Sequence, residues 1–305
     1  MVIDEWFFPR ESLASPGWES VVDATIEGWQ YTGLRIAHLG KGQSAQLNAQ
    51  AIERIIVPLS GSFDVTYQSS DGVEKSQHLH GRTSVFDGPT DSLYLPINTS
   101  AVVSGTGRVA VAEAPADESF PIAYIPRESV AVEMRGAGSA SRQVHNFGTP
   151  GNLNASRIIV CEVITPAGNW SSYPPHKHDE YKAGSESELE EIYYFQTDVE
   201  RGNETSTATD PIGYIRNYTS AAGDIETLAE VRTGDIALVP FGWHGPCVAA
   251  PGYDMYYLNV MAGPGPERSW LITDDPAHAW VRQSWTTQSV DSRLPYMHPK
   301  KEVSP

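Results

Sequence analysis

An all-β chain is what this sequence predicts, and three observations carry the prediction. Apolar and β-branched residues recur with a period of two, nearly every such run is closed by Gly, Pro, Asn, Asp or Ser, and amphipathic helical stretches are scarce. The 305 residues suffice to bury a large core. Hydrophobic residues at 40%, with 26 Gly and 22 Pro spread along the chain, argue against disorder and for short elements joined by tight turns.

The elements follow in chain order. A β-branched run, IERIIVPLSGSFDVTYQ (52–68), opens the series, and TSVFDGPTDSLYLP (83–96) follows a Gly turn and ends in Pro. SAVVSGTGRVAVAEA (100–114) alternates small and apolar residues, and SRIIVCEVITP (156–166) is apolar throughout. EIYYFQT (191–197), GDIALVP (234–240) and MYYLNVMAG (255–263) complete the strands. One short helix is expected in DDPAHAWVRQSW (274–285), where Pro276 suits the first turn. So many short strands need closure as a sandwich or barrel to protect their edges.

The two halves are distantly alike. Each has a strand with a glutamate entry (IERIIVPLSG, LEEIYYFQT), then a Gly-led strand ending in Pro. The chain therefore reads as two tandem β-barrels, 1–135 and 136–305, with the Gly- and Ser-rich MRGAGSASRQVHNFGTPGN (134–152) as the linker.

Composition excludes several functions. With 21 Lys and Arg against 38 Asp and Glu, the net charge of −17 repels nucleic-acid backbones and anionic membranes. A small anionic substrate stays open, since a few local cations can reverse the field inside a pocket. Cys161 and Cys247 lie among apolar residues and read as buried thiols. The N-terminus makes a poor signal peptide and no run is long and apolar enough to span a bilayer, so the expected location is the cytoplasm.

The chemistry concentrates in 174-PPHKHDEYKAGSESELEEIYYF-195. Residues i and i+2 of a strand share a face, so His176 and His178 present two imidazoles to one side. Glu190 or Glu191 is a candidate third ligand, and His244 in 234-GDIALVPFGWHGP-246 a fourth, aimed inward by a turn at Pro240 and Gly242. Three imidazoles and a carboxylate suit zinc, manganese, iron, nickel or copper with positions open for substrate.

HxH, then Glu before an aromatic strand, then G-x5-P-x-G-x-H resembles the paired motifs of the cupin superfamily. By position that resemblance makes His176, His178, Glu191 and His244 the ligands, with Glu190 the lesser alternative. The twelve residues between His178 and Glu191 exceed the usual cupin spacing. A narrower resemblance accounts for them: PPHKHDE, LEEIYYF, VPFGWH, PGYDMYYLNVMAGP, ERSW, RG at 135–136 and FDGPTDSLYLP at 86–96 look like the 5-deoxy-glucuronate isomerase family of inositol catabolism, which carries a similar acidic insertion.

That resemblance implies a bicupin homo-oligomer whose first barrel lacks metal ligands, and a divalent ion, zinc or manganese first, with iron or nickel as further options. It implies an aldose–ketose type isomerisation of 5-deoxy-D-glucuronate to 5-dehydro-2-deoxy-D-gluconate, for which no dinucleotide fingerprint is needed or present. Glu191 is then ligand or base; strand alternation puts Tyr193 on the same face, as a candidate proton shuttle with core packing as its other reading. For the substrate carboxylate the candidate cations are Arg216, by an Arg-x-Tyr segment, then Lys177, Lys182 and Arg268, with Tyr257 a further substrate-binding candidate; Ile215 stands where the family pattern expects Gln. Lys177 alternates away from the histidines, and His145 and His278 read as structural. The rival readings are an iron-dependent cupin dioxygenase and a non-catalytic sugar-acid-binding cupin. Residues 179–190 are expected to form a wall or lid of the pocket.

Overall fold

The computed structural model describes residues 5–70, 72–203, 205 and 207–297. Its strands form three large sheets and one two-stranded hairpin. In the first half an eight-stranded sheet is ordered Ser20–Val22, Gly33–Leu39, Ser100–Pro115, Ile52–Gln68, Ser92–Leu95, Ala123–Ile125, with Ser44–Leu47 and Glu74–Arg82 pairing off this path. In the second half a seven-stranded sheet is ordered Phe7–Phe8, Ile236–Val239, Glu190–Val199, Tyr253–Ala262, Ile159–Thr165, Arg142–Gly148, Ala131–Arg135. Facing it is a six-stranded sheet of Glu226–Val231, Gly213–Tyr218, Trp243–Ala249, His176–Lys177 and Thr273–Asp274, with Trp170–Ser171 on Trp243–Ala249.

Period-two alternation explains how one strand serves two cores. Tyr256, Leu258, Val260 and Ala262 join a cluster containing Ile55, Val57, Ala110 and Ala112 of the first half. Met255, Tyr257 and Met261 point the other way, with Tyr193, Phe195 and Val239 inside the second barrel. Both faces are buried, so the sequence reads as a continuous apolar run rather than as polar/apolar alternation. The first barrel has its own interior around Phe63, Val65, Leu79 and Val103.

Buried polar groups also cross between the halves. Arg82 forms a two-pronged pair with Glu162, both bonds 2.7 Å, and Glu162 further accepts from Tyr256 (2.7 Å) and contacts His145 Nδ1 (2.6 Å). Glu53 accepts the backbone N–H groups of Ser156, Arg157 and Ile158. His145 is thus structural, as expected.

Three expectations need correction. Residues 134–152 are no linker: Ala131–Arg135 and Arg142–Gly148 are antiparallel partners, and every residue of the latter is buried. The strand looked like a loop because its buried positions include Arg142, Gln143, His145 and Asn146, each polar and each given a hydrogen-bond partner, several of them distant in sequence. The 135/136 position falls in the turn of that hairpin, and Phe7–Phe8 pairs within the same sheet. Helical structure is shorter than expected, Val281–Ser284 followed by a 3-10 turn Trp285–Thr287, because Asp275 ties residues 277–279 into tight turns. Within 83–96 only Ser92–Leu95 is strand; Val85–Asp87 is a 3-10 turn capped by Ser84. No helix among the described residues is long and apolar enough to cross a membrane.

Candidate metal centre

The strand Glu190–Val199 pairs with Ile236–Val239 on one side and Tyr253–Ala262 on the other, which fixes its register and sends Glu191 and Tyr193 into the second barrel. Glu190 points the opposite way and accepts from the backbone N–H groups of Gln30, Tyr31 and Thr32. Between the two glutamates, alternation therefore selects Glu191 for the site.

Three ligand-type side chains converge there: His178, Glu191 and His244 are buried, with one donor atom of each within 4.8 Å of the others. His178 Nε2 lies 2.9 Å and His244 Nε2 3.2 Å from Glu191 Oε2. His176, register partner of His244, has its ring centroid 4.4 Å from that of His244 and 6.3 Å from that of His178. It stands beside the tight cluster and lines the adjoining cavity.

Backbone carbonyls set the histidine tautomers. Nδ1 of His176 faces Pro174 O at 3.2 Å, Nδ1 of His178 faces Leu189 O at 3.0 Å, and Nδ1 of His244 faces Gly242 O at 3.3 Å. An Nδ1–H donated to a carbonyl leaves Nε2 as the metal-binding nitrogen, and at His178 a metal would displace the proton shared with Glu191 Oε2. Gly242, at φ +99°, makes the turn that presents its carbonyl to His244.

Whether this set fits a cation is tested by its unsatisfied atoms. His244 Nε2 is buried without a hydrogen-bond partner, its approach to Glu191 being too poorly aligned. Burial alone would raise the Glu191 carboxyl, but the bonds to His178 and the neighbouring His244 outweigh it and hold the group well below the ordinary carboxylate range. Burial, then the neighbouring His244, lowers His176 well below the usual histidine value. An anionic carboxylate and lone-pair nitrogens around one point are the donors a divalent first-row ion takes.

The cavity beside the cluster measures about 440 Å³. Glu191, His176, Tyr193 and Tyr257 line it, together with Ser172, which bridges the phenols: its Oγ is 3.2 Å from Tyr193 Oη and 3.0 Å from Tyr257 Oη. Burial pushes both phenols well up, so they are neutral O–H groups at physiological pH. Three guanidinium groups also line the cavity, those of Arg135, Arg142 and Arg282.

The cations expected for the substrate lie elsewhere. Arg216 is exposed on the outer face of its strand, stacked 4.3 Å over Tyr218. Arg268 gives its Nε, Nη1 and Nη2 to the carbonyls of Ile158, Leu153 and Gly148 at 2.6–2.7 Å, so it clamps backbone. Lys182 is exposed and pairs with Glu180 at 2.8 Å. Lys177 faces away from the histidines, as expected, with Nζ 2.5 Å from both Asp179 and Glu186. The 179–190 segment contributes no cavity-lining side chain. Its hairpin Asp179–Lys182 and Glu186–Glu188 braces the 269–273 stretch, through Ser187 to Ser269 and Leu271 and through Glu186 to Thr273, and that stretch supplies Trp270 and Ile272 to the cavity.

Sequence reasoning missed Arg142 and Arg282, because one sat in the supposed linker and the other in a helix too short to show a face; Arg135 appeared only inside the RG string. Cys161 and Cys247 are buried free thiols, and burial pushes Cys161 up to about 12.

Two β-barrels in tandem, one enclosing a His and Glu cluster beside a polar cavity, define a bicupin. The fold is shared with the oxalate decarboxylase of Lactobacillus farciminis at TM-score 0.61 and 10% identity, over 90% of this chain and 89% of that one. The chain belongs to the KduI/IolB family, whose model matches residues 8–281. It is 40% identical over 279 residues, 90% of this chain and 95% of the other, to a 5-deoxy-glucuronate isomerase of Geobacillus thermodenitrificans. A protein of that name from Bacillus subtilis strain 168 is 35% identical over 90% of this chain and 96% of its own length. The crystal structure of an IolB-like protein from Salmonella typhimurium matches at TM-score 0.79 and 32% identity, over 90% of this chain and 98% of that one.

Proposed function

We propose that this chain is an isomerase converting 5-deoxy-D-glucuronate to 5-dehydro-2-deoxy-D-gluconate, assisted by a divalent ion at His176, His178, Glu191 and His244. What carries the reading is the identity of 35–40% over about nine-tenths of the chain to proteins named 5-deoxy-glucuronate isomerase. Supporting it, the one cluster of ligand-type side chains among the described residues opens onto a cavity of about 440 Å³, within the range that holds small molecules.

Aldose–ketose conversion removes a proton beside a carbonyl and returns one to the neighbouring carbon. When bound, a divalent ion such as zinc or manganese supplies Lewis-acid stabilisation of the charge that develops on the reacting oxygens. Glu191 is an anion fixed between two imidazoles, which favours ligand over base. Tyr193 and Tyr257, neutral and joined through Ser172, are placed to donate hydrogen bonds to a developing oxyanion and to move a proton along the hydroxyl chain. The first barrel, in the proposed division at 135/136, offers no comparable ligand group among its described residues and acts as scaffold. A cytoplasmic homo-oligomer is part of the same proposal.

The test is conversion followed by NMR, with 5-deoxy-D-glucuronate offered to the protein loaded with zinc, manganese, iron or nickel in turn. A ketone signal replacing the aldose anomeric signals is expected. No conversion with any of the four ions would sink the reading, and dioxygen uptake by the iron form would move it to oxygenase chemistry.

A further inference from the structure

Arg142 stands out among the cavity's three guanidinium groups. Arg135 is paired with Glu133 at 2.9 Å, and Arg282 with Asp274, where Nη2 to Oδ1 is 2.6 Å. Among the described residues Arg142 has no carboxylate at ion-pair distance. Its contacts are Nη1 to the carbonyl of Ala140 at 3.1 Å and a stack 5.5 Å over Trp285. Yet it is only 7% exposed. A guanidinium has five N–H donors, and burying one so sparsely satisfied is costly.

The backbone adds to that cost. Arg142 is the register partner of Arg135 across the hairpin, so two like charges face each other, an arrangement that destabilises a strand pair. Room for the group is made by Gly136, at φ +73°, where a Cβ would come within 2.7 Å of Arg142 Nη1 and 2.2 Å of Ala140 O. The Arg135-Gly136 dipeptide thus shapes one end of the cavity around a buried, unneutralised fork. Burial, with Arg135 and Arg282 adding to it, pulls the Arg142 pKa down to about 10, which still leaves the group charged at neutral pH.

The geometry points to Arg142 as the clamp for the substrate's carboxylate, a role that rests on the sugar-acid reading above. A carboxylate accepts bidentately from a guanidinium fork and would sit between the two facing arginines. The rest of a six-carbon acid then lies in the same cavity as His176 and Glu191. Arg142 sets the preference for an acid over a neutral sugar at a cost in fold stability.

The experiment titrates metal-loaded full-length protein with D-glucuronate and with D-glucose by calorimetry, and measures turnover of 5-deoxy-D-glucuronate alongside. Wild type should prefer the acid. Arg142→Met should lose that preference, with affinity for D-glucuronate falling on the order of 100-fold, while metal content holds and Tm is equal or higher. Arg216→Met should behave as wild type. If Arg142→Met fails to fold, Arg142→Lys carries the test: a tenfold or greater loss supports a bidentate clamp, and an affinity within twofold of wild type overturns it. Undiminished D-glucuronate binding by folded Arg142→Met also overturns the clamp, and wild-type turnover would leave the isomerase reading intact. Absent wild-type turnover with acid binding that depends on Arg142 would overturn the isomerase and keep the clamp. Equal binding of acid and neutral sugar by wild type overturns the clamp.

Discussion

His178 Nε2 lies 2.9 Å from Glu191 Oε2 although twelve residues separate them in sequence. The intervening residues fold out as the Asp179–Lys182 and Glu186–Glu188 hairpin, and Leu189 returns to offer its carbonyl to His178 Nδ1 at 3.0 Å. The insertion therefore preserves the ligand pair and helps set the tautomer.

Removing the ion or a ligand should abolish activity without unfolding the first barrel. Dialysis against EDTA is expected to lower Tm and remove turnover, and zinc or manganese to restore both, since an ion that binds only the folded state stabilises it. His178→Ala and His244→Ala should each lose bound metal by elemental analysis and at least about 100-fold in kcat/KM, given that even outer-sphere partners carry about 10–100-fold. Glu191→Gln should also lose metal; retained metal with lost turnover would make Glu191 the base.

The two arginines assigned from sequence should separate cleanly. Arg216→Ala removes an exposed stack over Tyr218, so kcat/KM should stay within about twofold and stability within about 0.5 kcal/mol. Arg268→Met strips three carbonyls of a charged donor and should cost about 2–4 kcal/mol by urea denaturation, with kcat/KM of the folded fraction little changed. A tenfold loss of kcat/KM in Arg216→Ala would bring the outer face into the reaction.

Legibility tracked the kind of signal each segment carries. Ile52–Gln68 and Ser100–Pro115 were readable almost to the residue because β-branched runs ending in turn formers leave no competing reading. Arg142–Gly148 was not, because its buried face is polar and its partners, Glu162, Tyr296 and Ala140, are distant or backbone groups that composition cannot show. The ligand types were legible since imidazoles and a carboxylate must recur in a fixed pattern around a cation. The choice between Glu190 and Glu191 becomes physical only once one is seen capping residues 30–32 and the other facing the histidines. The pocket cations were lost for a similar reason: an arginine advertises its charge but not its partner.

Gly242→Ala is expected to uncouple His244 from the cluster. At φ +99° an L side chain is strained, and the added Cβ would lie 2.5 Å from Ile225 Cγ2 and 2.9 Å from Tyr218 O. Relief requires moving the turn whose carbonyl meets His244 Nδ1. The variant should lose about 1–3 kcal/mol in denaturant melts and bind metal more weakly, whereas Gly252→Ala, at φ +85° with open space around its Cβ, should lose stability alone.

The Arg82–Glu162 pair predicts how stability responds to acid. Burial alone would raise the Glu162 carboxyl, but the Arg82 charge and the His145 bond outweigh it and hold the pKa at about 2, against an ordinary 4.5. A carboxyl depressed in the folded state contributes stability that is present in full above its unfolded value and lost as pH falls through the folded one. The window is therefore about pH 4.5 down to about 2, and the shift corresponds to roughly 3 kcal/mol. Other carboxylates titrate in the same range, so the comparison must be with a chain lacking the pair. Arg82→Met with Glu162→Gln together should flatten the fall in unfolding free energy between pH 7 and pH 3 relative to wild type, measured by urea denaturation at each pH. Glu162→Gln alone leaves the Arg82 charge buried beneath Tyr256 and should cost about 3–5 kcal/mol at pH 7, more than the double variant. An acid response identical in wild type and the double variant would mean that the cross-barrel pair contributes no pH-dependent stability.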